Sequence, residues 1–237
     1  MTGPLQWLPD GWKERLRRRA GAVTLGARLE NLRRAGFAPG RIVDAGAYRG
    51  AWSAAAAEVF PRAALLLVEP QPGRTAELEA FCRSHPAARL RAAALGRQRG
   101  VGRLLLEETN SRLVGSGQAP GAGAVSVPVE TLADLLPEEG FCPCDLLKLD
   151  LQGHELEALQ GAGAALDQVE VIMTEVSLIP IGGAPLALEV AQLLDQRGFR
   201  LYDILGHNYR PRDRALWQAD FLFVRRDSAL LASASWA

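Results

Sequence analysis

The fold of this chain is decided by the stretch Ile42-Val43-Asp44-Ala45-Gly46-Ala47-Tyr48-Arg49-Gly50. Its apolar first half predicts a buried strand, Gly46 permits a tight turn, and the run after Gly50 predicts a helix. Dinucleotide-binding loops have the spacing Gly-x-Gly-x-x-Gly, but Tyr48 occupies the second glycine position here. We therefore expect a ligand without a pyrophosphate at this turn, such as the methionine part of S-adenosylmethionine. A tight turn without a ligand is the alternative.

A second signal follows at the end of the next apolar run. Glu69 lies about 20 residues after the glycine turn, where nucleoside-binding folds place the acid that accepts hydrogen bonds from ribose hydroxyls. The alternative is a strand-end carboxylate exposed to water. Small residues around Ala94 leave room for an adenine ring. The expected cofactor-binding residues are Asp44, Gly46, Tyr48, Gly50, Ser53, Glu69, Pro70, Ala94 and Asp150.

Apolar runs alternate with helical patterns along most of the chain. The predicted strands are residues 41–45, 64–69, 90–95, 145–151 and 169–176, and the predicted helices are residues 51–60, 73–84, 131–136, 155–166 and 186–197. Runs without polar alternation indicate parallel strands covered by helices on both faces. The last two strands, 200–205 and 220–225, are joined by a segment, 206–219, that we expect to be irregular. Without a crossover helix the last strand should be antiparallel.

These patterns predict one Rossmann-like α/β domain with a seven-stranded, mostly parallel sheet. A chain of 237 residues suits one such domain, which we place at residues 39–228. Residues 1–38 are expected to form an N-terminal helical extension, helical over 11–36, and residues 229–237 a C-terminal tail. The basic cluster between Lys13 and Arg19 is expected to be the solvated face of that helix.

The composition disfavours several classes of protein. The net charge of +0 and the pI of about 6.8 disfavour a nucleic-acid partner. No apolar run approaches the roughly 20 residues that cross a membrane, and no secretory signal is recognised at the N-terminus. The three cysteines lack a zinc-type spacing and are expected to be free thiols. We therefore expect a cytoplasmic protein that binds neither nucleic acid nor membrane; its oligomeric state cannot be predicted.

The most specific motif is Lys148-Leu149-Asp150-Leu151-Gln152-Gly153-His154-Glu155, followed by a helix that ends Leu159-Gln160-Gly161-Ala162. With the Val43–Ala47 turn, Val68-Glu69-Pro70 and Thr174-Glu175-Val176, it resembles FkbM-type methyltransferases over about residues 40 to 225. The resemblance implies a class I methyltransferase fold, S-adenosylmethionine as cofactor, and O-methylation of a sugar or another small hydroxylated molecule. Tyr48 departs from the asparagine frequent in the family, which leaves the substrate open.

Asp150, His154 and Glu155 are the candidate catalytic residues. Asp150 ends a central strand, where ligands bind in open α/β sheets, and Lys148 points to the same face. His154 is the first candidate for the general base, because the ordinary histidine pKa of about 6.5 suits proton transfer at neutral pH. Glu155 could instead be only a helix-start residue, and His207 could enter from the rim.

Other roles and functions remain open from the sequence. Glu175 could complete an acidic pocket with Asp150 and hold magnesium, but nothing supplies a third ligand, so no metal is predicted. The segment 107–123, with Asn110, Ser111 and Arg112, could be a lid over the acceptor or a plain surface loop. Alternative functions are an N- or macromolecule methyltransferase and a non-catalytic S-adenosylmethionine-binding protein.

Overall fold

The computed structural model describes residues 25–107, 111–114, 123–180 and 184–232. Its α-helices are α1 (Leu25–Arg34), α2 (Ala51–Val59), α3 (Thr75–Ser84), α4 (Leu132–Glu138), α5 (Glu155–Gly161) and α6 (Ala187–Gln196). Its strands are β1 (Arg41–Ala45), β2 (Ala64–Val68), β3 (Ala88–Arg91), β4 (Ala94–Leu95), β5 (Gly100–Leu105), β6 (Arg112–Leu113), β7 (Ala124–Glu130), β8 (Cys144–Leu149), β9 (Val169–Ser177), β10 (Phe199–Tyr209) and β11 (Leu216–Arg225).

The central sheet has seven strands in the order β10-β11-β9-β8-β1-β2-β3. Strands β3, β2, β1, β8 and β9 run parallel, and β11 is antiparallel to both of its neighbours. The prediction of a mostly parallel sheet with an antiparallel last strand is confirmed. The order of the strands reverses at β1 and β8, which is the position where open α/β sheets form a crevice.

Two hydrophobic clusters cover the two faces of this sheet. Successive residues of β1 point to opposite faces, so Ile42 packs with Leu29 of α1 and Leu78 of α3, whereas Val43 packs in the cluster that contains Leu159 of α5. Ile42 and Val43 are both completely buried. The alternation explains why Asp44 is the only polar residue after Arg41 in this strand, and it confirms helices on both faces.

A smaller sheet of four strands, in the order β4-β7-β5-β6, was not predicted. The predicted strand 90–95 is wrong as one element, because β3 ends at Arg91 and pairs with β2, whereas β4 begins at Ala94 and pairs with β7. The chain turns between them, where the N–H of Ala93 donates to the carbonyl of Arg91 over 3.0 Å. The sequence does not show such a break, since residues 92–94 are all alanines and carry no turn signal.

The prediction of an irregular segment at 206–219 is also largely wrong. β10 continues to Tyr209, and β11 begins at Leu216, so the two strands form a long hairpin. Register shifts between Leu201 and Asp203 and between Ile204 and His207 interrupt the two-residue period. Since β10 is also an edge strand with many exposed residues, its polar sequence is typical of a loop as well.

The two ends of the chain are only partly described. Within the predicted N-terminal extension, α1 ends at Arg34, two residues before the predicted end, and residues 1–24, including the basic cluster, lie outside the described residues. In the predicted C-terminal tail the structure shows one short turn, Ala229–Leu231. Among the described helices, none is long and apolar enough to cross a membrane.

Helix α5 packs against the second sheet through a glycine. A Cβ atom added at Gly161 would overlap the carbonyl oxygen of Gly96, which follows β4. Only a residue without a side chain therefore allows α5 and β4 to approach this closely, and the approach fixes the second sheet relative to the central one.

We expect Gly161→Ala to destabilise the protein by about 1–3 kcal/mol, because overpacking a buried contact forces the backbone apart. In an unobstructed helix the same substitution stabilises by up to about 1 kcal/mol. Gly73→Ala is the matched control, since a Cβ at Gly73 meets nothing within 4 Å. Denaturant unfolding of both variants checks the prediction, and a Gly161→Ala protein as stable as the wild type would contradict the close approach.

Candidate active site

The carboxyl ends of β2, β1 and β8 open into one cavity. Ala45 of β1 pairs with Val68 of β2 and with Leu149 of β8, so the residues that follow these strand ends, Glu69, Gly46 and Asp150, lie side by side. All three line a cavity of about 170 Å³. The expectation that the glycine turn, the acid of β2 and the acid of β8 share one edge of the sheet agrees with this arrangement.

Gly46 forms the floor of this cavity. Its φ of 79° lies in the left-handed region, and an added Cβ would overlap the backbone carbonyl of Asp150. The Gly46 N–H donates to the carbonyl of Val68 over 2.9 Å, and the Asp150 N–H donates to the carbonyl of Ala45 over 3.0 Å. The turn is thus joined by hydrogen bonds to the ends of both neighbouring strands, and Gly46 lines the cavity.

Lys148 stabilises the Gly46 turn through hydrogen bonds and ion pairs. Its Nζ donates to the carbonyl oxygen of Gly46 over 2.9 Å and lies 3.0 Å from Asp44 Oδ1 and 3.5 Å from Asp150 Oδ2. Burial alone would lower the pKa of Lys148, but Asp44 and Asp150 raise it above its ordinary value. Lys148 is therefore a cation at neutral pH, and it links the ends of β1 and β8.

Asp44, Ser53 and Gly50, all predicted to bind the cofactor, lie behind the turn and do not line the cavity. Asp44 is completely buried and accepts a 2.7 Å hydrogen bond from the Ser53 hydroxyl. Gly50, with a φ of 77°, brings the start of α2 against Leu78. In this arrangement the three residues shape the turn; direct contact of any of them with a cofactor stays a prediction.

Glu69 presents a buried carboxylate to the cavity, and it is 4% exposed. Its Oε2 accepts from the N–H of Tyr48 over 2.8 Å and its Oε1 accepts from the N–H of Gln71 over 2.9 Å. Burial raises the pKa of Glu69, and the two N–H donors act in the opposite direction. A carboxylate has about four acceptor positions, so both oxygens can still accept from a ligand.

Tyr48 and Pro70 form the walls on either side of Glu69. Tyr48 has a φ of 49°, and its ring lies under the Arg74 guanidinium, with 4.5 Å from Arg74 Cζ to the ring centroid. Arg74 also donates to the Tyr48 hydroxyl over 3.2 Å. These contacts fix the ring at the mouth of the cavity, where a phosphate-binding loop would have the second glycine.

The far end of the cavity is apolar. Ala94 of β4 packs with Leu104 of β5 and Leu113 of β6, and Leu95 and Ser111, the residue before β6, also line the cavity. Only Ala94 was predicted, because the second sheet that supplies Leu104 and Leu113 was not recognised. The alternating pattern of residues 124–130 could have indicated it. Of the predicted lid segment, Ser111 lines the cavity, whereas Asn110 lies outside the described residues.

The predicted catalytic residues lie in the turn after β8 and at the start of α5. Gln152 donates to Asp150 Oδ1 over 2.7 Å, and Gln152 and Gly153 both have positive φ values, 53° and 101°. Asp150 and His154 line the cavity, and burial lowers the pKa of His154. Glu155 does not line it, since its carboxylate accepts from the N–H groups of Leu151 over 2.7 Å and Gly153 over 3.1 Å.

Glu155 therefore holds the turn on which Asp150 and His154 sit. It is 2% exposed, and burial raises its pKa to about 7 although the backbone N–H donors lower it. Its position at the first residue of α5 agrees with the alternative of a helix-start residue. A catalytic role for Glu155, and the roles of Asp150 and His154, stay predictions.

Glu175 lies on the other side of Asp150 from Gly46. Leu149 pairs with Thr174 of β9, so Glu175 lies beside Asp150, and Glu175 itself pairs with Asp220 of β11. Burial, together with Asp150, Glu155 and Asp220, raises the pKa of Glu175 to about 8, while Lys148 acts in the opposite direction. Among the described residues, no three His, Cys, Asp or Glu side chains are grouped in a way that could hold a metal ion.

We expect Glu175→Gln to flatten the pH dependence of stability. A carboxyl whose pKa rises from 4.5 to about 8 on folding stabilises the protein below pH 4.5, and this contribution is lost as the pH rises through 8. From about pH 6 to 9 the free energy of unfolding of the wild type should fall by about 2–3 kcal/mol more than that of the variant. Denaturant unfolding measures it, with Glu79→Gln, an exposed position, as control. Equal slopes would contradict the burial of this acid.

Known proteins resemble this chain in fold far more than in sequence. Magnesium protoporphyrin IX methyltransferase from Synechocystis PCC 6803, solved with bound S-adenosylmethionine, is 12% identical, with a TM-score of 0.51 over 95% of this chain and 86% of that one. A protein from Clostridium thermocellum described as a candidate rRNA methylase is 11% identical, with a TM-score of 0.51 over 85% and 94% of the two chains. No curated protein matches the sequence.

The two solved structures share the architecture of this chain, which is the Rossmann-like α/β fold of class I methyltransferases. The family model of the methyltransferase FkbM domain matches residues 44–201, more than half of the chain. The match begins at the glycine turn of β1 and includes Glu69, Asp150 and the start of α5. This chain therefore belongs to the family of methyltransferases with an FkbM domain.

Proposed function

We propose that the protein is an S-adenosylmethionine-dependent methyltransferase that methylates a hydroxyl group of a sugar or another small hydroxylated molecule. The observation that carries the proposal is the placement of Glu69, Gly46 and Asp150 side by side around one cavity, whose far end is apolar. Membership of the family supports the reaction class, and the proposal of a hydroxyl acceptor comes from the sequence resemblance. Neutral net charge favours a small-molecule acceptor over a nucleic acid.

The residues of the cavity fit the parts of the cofactor. Ala94, Leu104 and Leu113 offer apolar surface to an adenine ring, and Glu69 offers free acceptor positions to two ribose hydroxyls. The part of the cavity lined by Gly46 and Asp150 is left for the amino-acid part, which carries no phosphate. Tyr48, held by Arg74, would crowd the pyrophosphate of a dinucleotide at the same place.

When bound, S-adenosylmethionine supplies an electrophilic methyl group, so the protein has mainly to align the acceptor oxygen with it. Asp150 and His154 line the same cavity, and we assign both to its acceptor side. Lys148 and Gln152 hold the Asp150 carboxylate from two sides. Glu155 accepts from the N–H groups of Leu151 and Gly153, so the turn that carries Asp150 is held by hydrogen bonds within the protein.

We expect Glu69→Ala to weaken binding of S-adenosylhomocysteine by on the order of 10–100-fold, since each hydrogen bond to a charged group contributes about 1.5–3 kcal/mol. Titration calorimetry measures the affinity, and Glu58→Ala, an exposed position on α2, is the matched control. Thermal unfolding shows whether the variant is folded, because Glu69 also binds two backbone N–H groups. Unchanged affinity in a folded variant would remove Glu69 from the site.

We expect Asp150→Asn to lower turnover by on the order of 100-fold while the protein stays folded, because an amide has one acceptor atom where the carboxylate has two and would align the acceptor less well. The assay follows release of S-adenosylhomocysteine from S-adenosylmethionine with methyl hexosides, hexosamines, hexuronic acids and simple phenols as acceptors. Asp167→Asn, an exposed position, is the control.

Two results would count against this account. Full turnover by Asp150→Asn would reject its role at the acceptor. If the wild type binds S-adenosylhomocysteine but methylates no panel member, acceptors outside the panel, a nitrogen acceptor or a non-catalytic binding protein would replace hydroxyl methylation as the conclusion.

A further inference from the structure

A row of acidic residues continues the cavity edge across the sheet. Asp150 follows β8, Glu175 lies beside it on β9, and Asp220 pairs with Glu175 on β11. Neighbours in register project from the same face of a sheet, so the three carboxyl groups share one surface. Carboxyl groups placed opposite each other across strands destabilise a sheet when they are ionised, so the row is not explained by packing.

The end of this row has few partners within the protein. In the described part of the chain, Glu175 accepts one hydrogen bond, from Gln218 Nε2 to Oε2 over 3.1 Å, and none joins the Asp220 carboxylate to another group. Both side chains are half-buried. A Cβ at Gly206 of β10 would overlap Asp220 Oδ2, so a glycine on the edge strand leaves the space that Asp220 occupies. Glu175 Oε1 is therefore available to a ligand.

The two sides of Asp150 differ in chemistry. On the β1 side lie the glycine turn and Glu69, which the proposed function assigns to the cofactor. On the β9 side lie Glu175 and Asp220, which no part of that cofactor requires. Because Asp150 borders both, a molecule held between Asp150 and Glu175 would be next to the cavity and outside the space of the nucleoside.

We propose that the acceptor binds on this second side, that Glu175 takes the proton of the reacting hydroxyl, and that Asp220 is a positioning residue that acts through Glu175. The inference rests on the proposed function. As the hydroxyl O–H bond breaks, its proton passes to Glu175 Oε1. The oxygen forms its new bond to the methyl carbon of the sulfonium donor while the carbon–sulfur bond breaks, and a neutral thioether leaves. Glu175 then returns the proton to water.

The surroundings of Glu175 favour it over His154 as the base. Burial together with Asp150, Glu155 and Asp220 raises the pKa of Glu175 to about 8, with Lys148 opposing, so it is a stronger base than an ordinary carboxylate. Burial lowers the pKa of His154, which makes its imidazole a weaker base. The pKa of Asp220 is itself raised by burial and by Asp150, while Lys148 and His207 lower it. An efficient base has a pKa near the working pH.

The row also limits the acceptor. Three carboxyl groups accept hydrogen bonds from hydroxyls, whereas they repel a carboxylate or a phosphate placed near the reacting oxygen. The acceptor is therefore neutral around its reacting hydroxyl, as in an uncharged sugar. Methyl hexosides should be methylated at least 10-fold faster than the corresponding hexuronic acids.

The test compares Glu175→Gln and Asp220→Asn with the wild type, on the panel member that is methylated fastest. We expect kcat of Glu175→Gln to fall at least 100-fold while its calorimetric affinity for S-adenosylhomocysteine changes less than threefold. In the wild type kcat/KM should rise with pH through about 8, the pKa of Glu175. Asp220→Asn should stay active. Its rise of kcat/KM with pH should shift to lower pH, because the substitution removes a negative charge beside Glu175. Glu79→Gln should behave as wild type.

Several results would overturn the inference. Full turnover by Glu175→Gln would do so, and so would a rise of kcat/KM through pH 8 that persists in that variant. The inference would also fail if Asp220→Asn left the midpoint of this rise unchanged, or if hexuronic acids were the preferred acceptors. A structural role alone would lower the rate of Asp220→Asn without shifting its pH profile. Failure of this inference leaves S-adenosylhomocysteine binding and its dependence on Glu69 intact. Absence of that binding is instead the failure of the proposed function.

Discussion

The site depends on one buried cation. Lys148 lies between Asp44 and Asp150 and donates to the backbone carbonyl of Gly46, so a single ammonium group joins the end of β1 to the end of β8. The two strand ends approach so closely that Gly46 cannot carry a side chain. If this contact were lost, Asp44 would be a buried charge without its cation, which is strongly unfavourable. The position of Asp150 in the cavity follows from the same contact.

From this point the sheet edge divides into two halves. Glu69 and the apolar surface of the second sheet lie on one side of the glycine turn, and Glu175 and Asp220 lie on the other. On the first side, the Glu69 carboxylate accepts hydrogen bonds from two backbone N–H groups, so it is held in place before a ligand arrives. The second half has carboxyl groups with few protein partners among the described residues. On the nucleoside side the carboxylate is already held by backbone N–H groups, whereas on the acceptor side the carboxyl groups have few protein partners in the described part of the chain. This difference is consistent with one cofactor and a variable substrate.

The sequence alone predicted those parts of the fold in which local pattern and tertiary role agree. The strand at Ile42, the turn at Gly46 and the Lys148 to Glu155 motif lie on central parallel strands, where burial on both faces leaves a continuous apolar run. The break between Arg91 and Ala94 was missed because it changes the pairing partner within a run of alanines that carries no turn signal. The hairpin of β10 was missed because edge strands are exposed and register shifts disturb their period.

The prediction of the site had the same strengths and limits. Glu69, Gly46 and Asp150 were identified because each follows a recognisable strand. The apolar end of the cavity was not, because Leu104 and Leu113 belong to a sheet whose pairing is long-range. The cross-strand position of Asp220 depends on an antiparallel register that no local motif encodes. Asp44 and Ser53 carry polar groups at the expected place, yet their side chains point to Lys148 and to each other rather than into the cavity.

A crystal structure with S-adenosylhomocysteine tests the central claim most directly. The account predicts the ribose hydroxyls within hydrogen-bonding distance of the Glu69 carboxylate, the adenine against Leu104 and Leu113, and the sulfur facing Asp150. A nucleoside bound elsewhere on the protein, or bound in this cavity with its ribose away from Glu69, would contradict it.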